Sequence, residues 1–315
     1  MPELDPAMAA ILDEMNRQNL PAYETMPAAE ARAESERRNL VWNDPPVPVA
    51  RVEERTVPGP RGPLRLRVYD PRQRAEGAAP CVLFVHGGGW VICSLDTHDG
   101  VCRQLANAGG LVVASVDYAL APELPYPHGL EDCAAALRWL RREGASVGID
   151  PERIGVAGDS AGANLALALC LHLRDAGEDQ PRAAALVYGV YSDDFDSPSH
   201  AAFGGGEYLL STATMRWFWD HYVPEPAQRR DPLVSPLYAD LRGVPPLYVS
   251  AAELDPLRDD SERLARRLLE AGVDFDWRLW RGVTHACFMM SPALPAADRQ
   301  IADAAGFLAR RLAEG

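Results

Sequence analysis

Residues 6–17 carry Met8, Ile11, Leu12 and Met15 on one stripe, the 3.6-residue repeat of an amphipathic helix. Residues 27–38 predict a second helix, rich in both Glu and Arg, with Pro21 and Pro27 marking the join. A helix pair ahead of any strand either packs on the main domain or covers something. Residues 51–56 and 64–69 then alternate polar and apolar around Pro58-Gly59-Pro60-Arg61-Gly62-Pro63, which predicts an antiparallel pair at a sheet edge. From Cys81 the texture changes to short apolar runs separated by helical stretches. Strands are predicted at 81–85, 111–116, 153–157, 184–188, 247–251 and 275–280. Helices fall near 97–108, 129–144, 161–174, 258–271 and 295–312. Parallel strands with crossover helices, fronted by an antiparallel pair, make a doubly wound, three-layer α/β/α sandwich.

The rhythm breaks once, at about 192–235. Asp193, Asp194, Asp196 and Pro198 lead into Gly204-Gly205-Gly206, then into the aromatic run Trp217-Phe218-Trp219 with His221 and Tyr222. No strand is evident there, so the stretch reads as an insertion that includes one aromatic-rich helix packed onto the domain.

Composition narrows the function classes. A formal net charge of −14 argues against nucleic acid and against anionic membrane surfaces as partners. The mixed charge of residues 27–38 points the same way. Six cysteines at 81, 93, 102, 133, 170 and 287 show no C-x-x-C and no zinc-type spacing, and most sit in apolar runs. The acidic start lacks the pattern of a signal peptide, and no stretch has 18 consecutive apolar residues. A reducing, cytoplasmic setting is expected, without stable membrane association.

The candidate chemistry centres on Gly158-Asp159-Ser160-Ala161-Gly162. It follows the strand at 153–157 and opens the helix at 161–174, so Ser160 stands at a sharp strand-to-helix turn. A bare G-x-S-x-G recurs by chance, and its competing reading is a Gly-rich turn; the strand and helix around it favour a nucleophile. Glycines two before and two after the serine leave room where a Cβ would meet backbone. A serine hydroxyl needs a base, and the base needs an acid to orient it. On this architecture the chain order is nucleophile, acid, base. Among seven histidines only His285 follows a further strand able to supply the acid. Acid candidates after the 247–251 strand are Asp255, which precedes Pro256 at a helix start, and Glu253 behind it. Asp259 and Asp260 lie within the next helix, where a solvated charged face is expected. His86-Gly87-Gly88-Gly89-Trp90 follows the first parallel strand, and its backbone N–H groups, paired with that of Ala161, suit an oxyanion hole. His86 reads as a brace for this loop. Phosphate binding is disfavoured, since neither a P-loop nor G-x-G-x-x-G is present.

With these pieces in register, the chain resembles the bacterial hormone-sensitive-lipase family of carboxylesterases. The resemblance rests on His86-Gly87-Gly88-Gly89-Trp90, Asp117-Tyr118 with Leu120-Ala121-Pro122-Glu123, Gly158-Asp159-Ser160-Ala161-Gly162, Asp255-Pro256-Leu257-Arg258-Asp259 and Gly282-Val283-Thr284-His285. It implies an α/β-hydrolase fold with a catalytic domain over 46–315 and a helical cap built from 1–45 and the insertion near 192–235. It implies Ser160 as nucleophile, His285 as base and acid, Asp255 as orienter, and Gly87, Gly88 and Ala161 as oxyanion donors. No metal or organic cofactor is implied. The substrate class is a small ester, with short acyl chains favoured beneath a closed cap, and a homodimer is compatible by resemblance alone. Two readings stand beside this one: an amidase or deacetylase using the same triad, and a non-catalytic small-molecule-binding module, which the retained His285 disfavours. Two positions depart from the family pattern, Ala163 and Cys93, where glycine is usual. Cys93 is expected either to narrow the pocket or to be open to thiol reagents.

Overall fold

The apolar runs read as strands are strands in the computed structural model, which describes residues 3–73 and 77–314. In chain order they are β1 (Arg51–Gly59), β2 (Gly62–Asp70), β3 (Ala79–Val85), β4 (Val112–Val116), β5 (Ile149–Asp159), β6 (Ala184–Val187), β7 (Leu247–Leu254) and β8 (Phe275–Thr284). They form one sheet in the order β1-β2-β4-β3-β5-β6-β7-β8. β2 runs antiparallel to β1 and β4, and the remaining pairs are parallel. The predicted edge hairpin is continuous, pairing from Arg51 with Asp70 down to Gly59 with Gly62.

Period-2 alternation along the central strands feeds two separate cores. In β3, Cys81, Leu83 and Val85 join one cluster while Val82 and Phe84 join the other. The first core is covered by α4 (His128–Glu143), α5 (Ala161–Asp175) and α8 (Arg258–Ala271). The second is covered by α3 (Asp99–Gly109) and α9 (Pro295–Ala313), which pack on each other. Helix α5 is buried on nearly every side, as its run of Ala and Leu dictates. Being central, it holds its first turn, and the serine before it, rigidly against the sheet.

The N-terminal pair packs and covers at once. Helix α1 (Pro6–Gln18) starts where Asp5 Oδ1 accepts the Ala7 N–H at 2.9 Å. Met8 and Leu12 enter the second core, and the Asp5 N–H donates to Gly282 O at 2.9 Å. Helix α2 (Ala28–Asn39) buries a face of small residues, Ala28, Ala31 and Ser35. The insertion holds two helices, one more than the aromatic pattern announces: α6 (Pro198–Phe203) and α7 (Thr212–Tyr222). Helix α6 forms because Ser197 caps it and Pro198 supplies a preset first turn. Among the described residues no helix is long and apolar enough to cross a membrane.

Candidate active site

Ser160 lies between β5 and α5 with φ 53° and ψ −120°, a conformation that an L-residue rarely holds. The turn closes only because its flanking glycines are bare: a Cβ on Gly162 would sit 2.0 Å from Val85 O, and one on Gly158 2.4 Å from the Gly162 carbonyl carbon. The Ser160 N–H donates to Val187 O at 2.9 Å, tying the turn to the neighbouring strand. Its side chain therefore projects from the C-terminal edge of the sheet, above the N-terminus of α5.

The imidazole of His285, first residue beyond β8, reaches this hydroxyl. Nε2 is 2.9 Å from Ser160 Oγ, and Nδ1 is 2.7 Å from Asp255 Oδ2. Asp255 is fully buried, and its second oxygen accepts the Leu257 N–H at 2.8 Å. That bond fixes the carboxylate plane, so the acid can meet the ring in one orientation. Strand β7 runs three residues past its predicted end, which places Glu253 within the strand. The Glu253 side chain turns to the bend of β8 and accepts the Gly282 N–H at 2.9 Å, leaving Asp255 as the residue on the imidazole. Tyr188 backs the ring, with centroids 4.7 Å apart.

Asp259 and Asp260 do not form the solvated face expected of them. Asp259 accepts the Ser199 N–H at 2.9 Å. Asp260 is buried and accepts the Tyr191 N–H at 2.7 Å, the Ser192 N–H at 2.9 Å and the Ser192 hydroxyl at 3.0 Å. Burial pushes its carboxyl up to about 6 despite these donors. Asp260 pins the chain that follows β6 and Asp259 the first turn of α6, a long-range role without local signal.

The glycine loop after β3 corrects one assignment. The Gly87 N–H donates to Asp159 Oδ1 at 2.9 Å, so it is not free to face a substrate. Gly88 and Gly89 instead line the cavity beside Ser160, and their N–H groups, with that of Ala161, meet no protein acceptor among the described residues. Asp159 is thus a further site residue, one that the sequence shows only as the second letter of a serine motif. Burial pushes its carboxyl up, but His98, with Nε2 3.2 Å away, and the Gly87 N–H outweigh that and hold it below its ordinary value. His86 has the bracing role read for it. Its ring stacks on Tyr118 at 4.4 Å, Nδ1 lies 2.7 Å from Gly87 O, and burial lowers its imidazole to about 3, so it stays neutral.

Above these groups lies a cavity of about 430 Å³, walled by the N-terminal segment and the insertion. Phe218 of α7 rests directly on Gly89, where an added Cβ would come within 2.1 Å of the ring. Trp90 stacks on Tyr222 at 4.2 Å and meets Trp219 edge-on at 5.0 Å. Glu24 joins the two walls, accepting from Thr214 Oγ1 at 2.6 Å and Ser211 Oγ at 3.3 Å. Cys93 narrows the cavity from the loop side. Its sulfur lies 3.4 Å from Ser35 Oγ, and burial pushes the thiol up to about 12, away from the reactive thiolate.

Comparison with known proteins bears on the fold and the kind of enzyme. A family model described as the alpha/beta hydrolase fold matches residues 82–289. The ethyl acetate hydrolase of Pseudomonas putida is 38% identical over 238 residues, 75% of this chain and 74% of that protein. The carboxylesterase NlhH of Mycobacterium tuberculosis is 36% identical over 304 residues, 94% and 92% of the two chains. Among solved structures, an ester hydrolase from the metagenome of Lake Arreo, complexed with a derivative of bipyridine phosphonate, superposes with a TM-score of 0.93 at 38% identity over 98% of both chains. A hyperthermophilic esterase from the archaeon Pyrobaculum calidifontis gives 0.93 at 36% identity, again over 98% of both chains. The chain therefore belongs to the α/β-hydrolase family, among the carboxylesterases that resemble hormone-sensitive lipase.

Proposed function

We propose that this protein hydrolyses short-chain carboxylic esters of small molecules through an acyl-enzyme. The observation that carries the reading is the unbroken relay of 2.9 Å from Ser160 Oγ to His285 Nε2 and 2.7 Å from His285 Nδ1 to Asp255, opening beside three N–H groups without a protein acceptor among the described residues. Ser160 Oγ attacks the ester carbonyl as its proton passes to His285. The carbonyl electron pair moves onto oxygen, and the N–H groups of Gly88, Gly89 and Ala161 stabilise the oxyanion. Collapse of this intermediate breaks the bond to the alcohol, which leaves with the proton from His285. Water attacks the acyl-enzyme with His285 again as base, and a second collapse frees the acid and restores the serine.

Residues 1–45 and the 192–235 insertion act as the cap over this site. The cavity of about 430 Å³ between them supports short acyl chains over extended lipids. Six buried, unpaired cysteines support a reducing, cytoplasmic setting.

The test is turnover of p-nitrophenyl acetate, butyrate and palmitate by the protein and by Ser160→Ala, with a fluorophosphonate probe mapped to its residue. The expected result is activity on acetate and butyrate, little on palmitate, loss in the variant and labelling at Ser160. Preference for emulsified long-chain triglyceride, or labelling elsewhere, would overturn the reading.

A further inference from the structure

The charge of helix α2 has one destination that bears on catalysis. Arg32 Nε donates to Val91 O at 2.7 Å, and Nη2 donates to Ala121 O at 2.6 Å. Nη1 donates to Glu123 Oε1 at 2.9 Å, and Nη2 also reaches the second oxygen of that carboxylate. Val91 closes a tight turn: its N–H and that of Ile92 donate to Gly88 O at 3.1 and 2.9 Å. The Ala121 N–H donates to Trp90 O at 2.9 Å, so the two loops under the guanidinium are also bound to each other. The turn needs outside support, because Trp90 and Cys93 hold φ of 62° and 69°, left-handed values unfavourable for residues with a Cβ. Arg32 meets the turn at the Val91 carbonyl, while Gly88 and Gly89 line the cavity with N–H groups that meet no protein acceptor among the described residues.

We propose that Arg32 is a positioning residue for the oxyanion turn, making the N-terminal segment part of the catalytic support and not only a wall over the pocket. This rests on the oxyanion role given above to Gly88 and Gly89. The planar fork suits the task, because it spans two carbonyls and a carboxylate in fixed directions, whereas a lysine ammonium is a single point of contact. The two carbonyl bonds form the functional link. The bond to Glu123, whose side chain is 57% exposed, is a solvated ion pair of the kind that contributes little.

The experiment compares the full chain with R32K, R32A and E123Q. It measures kcat and KM on p-nitrophenyl acetate and inhibition by an aryl trifluoromethyl ketone. Ser160 Oγ adds to that ketone, its proton passes to His285, and the carbonyl electron pair becomes an oxyanion that reports on the same N–H groups. R32K and R32A should lose about tenfold to a hundredfold in kcat, the scale of a small misplacement of catalytic groups. KM should stay within about threefold, since ground-state binding is not what the turn supplies. Ketone inhibition should weaken in proportion to kcat, and added guanidinium ion should restore part of the rate to R32A without affecting the wild type. E123Q should stay within about twofold of wild type. A rise in KM with kcat unchanged, full activity in R32K, or an equal loss in E123Q would overturn the proposal. Should R32A fail to fold, R32K and the ketone series decide it. Failure of the esterase reading would show separately, as absence of turnover by the wild-type protein.

Discussion

Replacing Asp255 by Asn changes the site by one atom, and the structure dictates which way the new amide must face. Asp255 Oδ1 accepts the buried Leu257 N–H, and Oδ2 meets His285 Nδ1 at 2.7 Å. The amide oxygen is needed at Leu257, so the NH2 group turns to the imidazole. Nδ1 must then accept, the ring proton moves to Nε2, and Nε2 faces Ser160 with no lone pair to take the hydroxyl proton. Flipping the amide restores the working tautomer but sets NH2 against the Leu257 N–H, a buried mismatch of about 1–3 kcal/mol. The flipped, competent fraction is thus about one part in six to one in 160. The lost carboxylate charge also no longer stabilises the imidazolium formed during attack. Together these point to a loss of about 10⁴ in kcat, roughly 5.5 kcal/mol of barrier. Stopped-flow acetylation by p-nitrophenyl acetate reads the step directly, with KM expected to change little. A loss below about tenfold would refute the reasoning and move the orienting role to another group.

Three further outcomes follow from neighbouring features. Asp260 has its folded carboxyl raised to about 6, so the stability gained by the protonated form is present below its usual range near 3.8 and lost as pH rises through about 6. D260N, which resembles the neutral form, should therefore unfold at higher temperature than wild type at pH 8, by up to about 3 kcal/mol, with the gap about half as large at pH 5 and closing below about pH 4; calorimetry showing the opposite trend would reject this. D260A should be less stable at both pH values, because it strands the buried N–H groups of Tyr191 and Ser192. G89A should lose at least about tenfold in kcat/KM as its methyl collides with Phe218, and F218A in the same chain should recover part of the loss; no recovery in steady-state kinetics would contradict the steric account. The thiols, all buried, should resist Ellman's reagent in the native protein, while C93G should widen acyl tolerance by one or two carbons; rapid modification of Cys93 would contradict its placement.

Much of the architecture is legible locally, because a parallel strand buried on both faces must be written as an apolar run. The triad is legible for another reason: chain order and strand ends leave few residues for each role. What escaped depends on partners distant in sequence. Gly87 and Gly88 are interchangeable as letters, and only the Asp159 carboxylate, 72 positions on, takes the first and leaves the second open. Asp260 reads as surface because its covering loop, Tyr191–Ser192, precedes it by 68 residues or more. Helix α2 conceals its docking face, since Ala28, Ala31 and Ser35 give no apolar stripe. Its arginines look like solubilising charge until their acceptors are seen.

The stacking of Trp90 on Tyr222, with Phe218 seated on Gly89, constrains how this enzyme can diversify. A roof that rests on the floor cannot be rebuilt in isolation. Mutational libraries aimed at α7 to admit new substrates will disturb chemical efficiency at the same time, so selections should score both. Variation confined to the Leu209–Leu210 stretch, which borders the same chamber, offers a route to altered preference with less damage to speed.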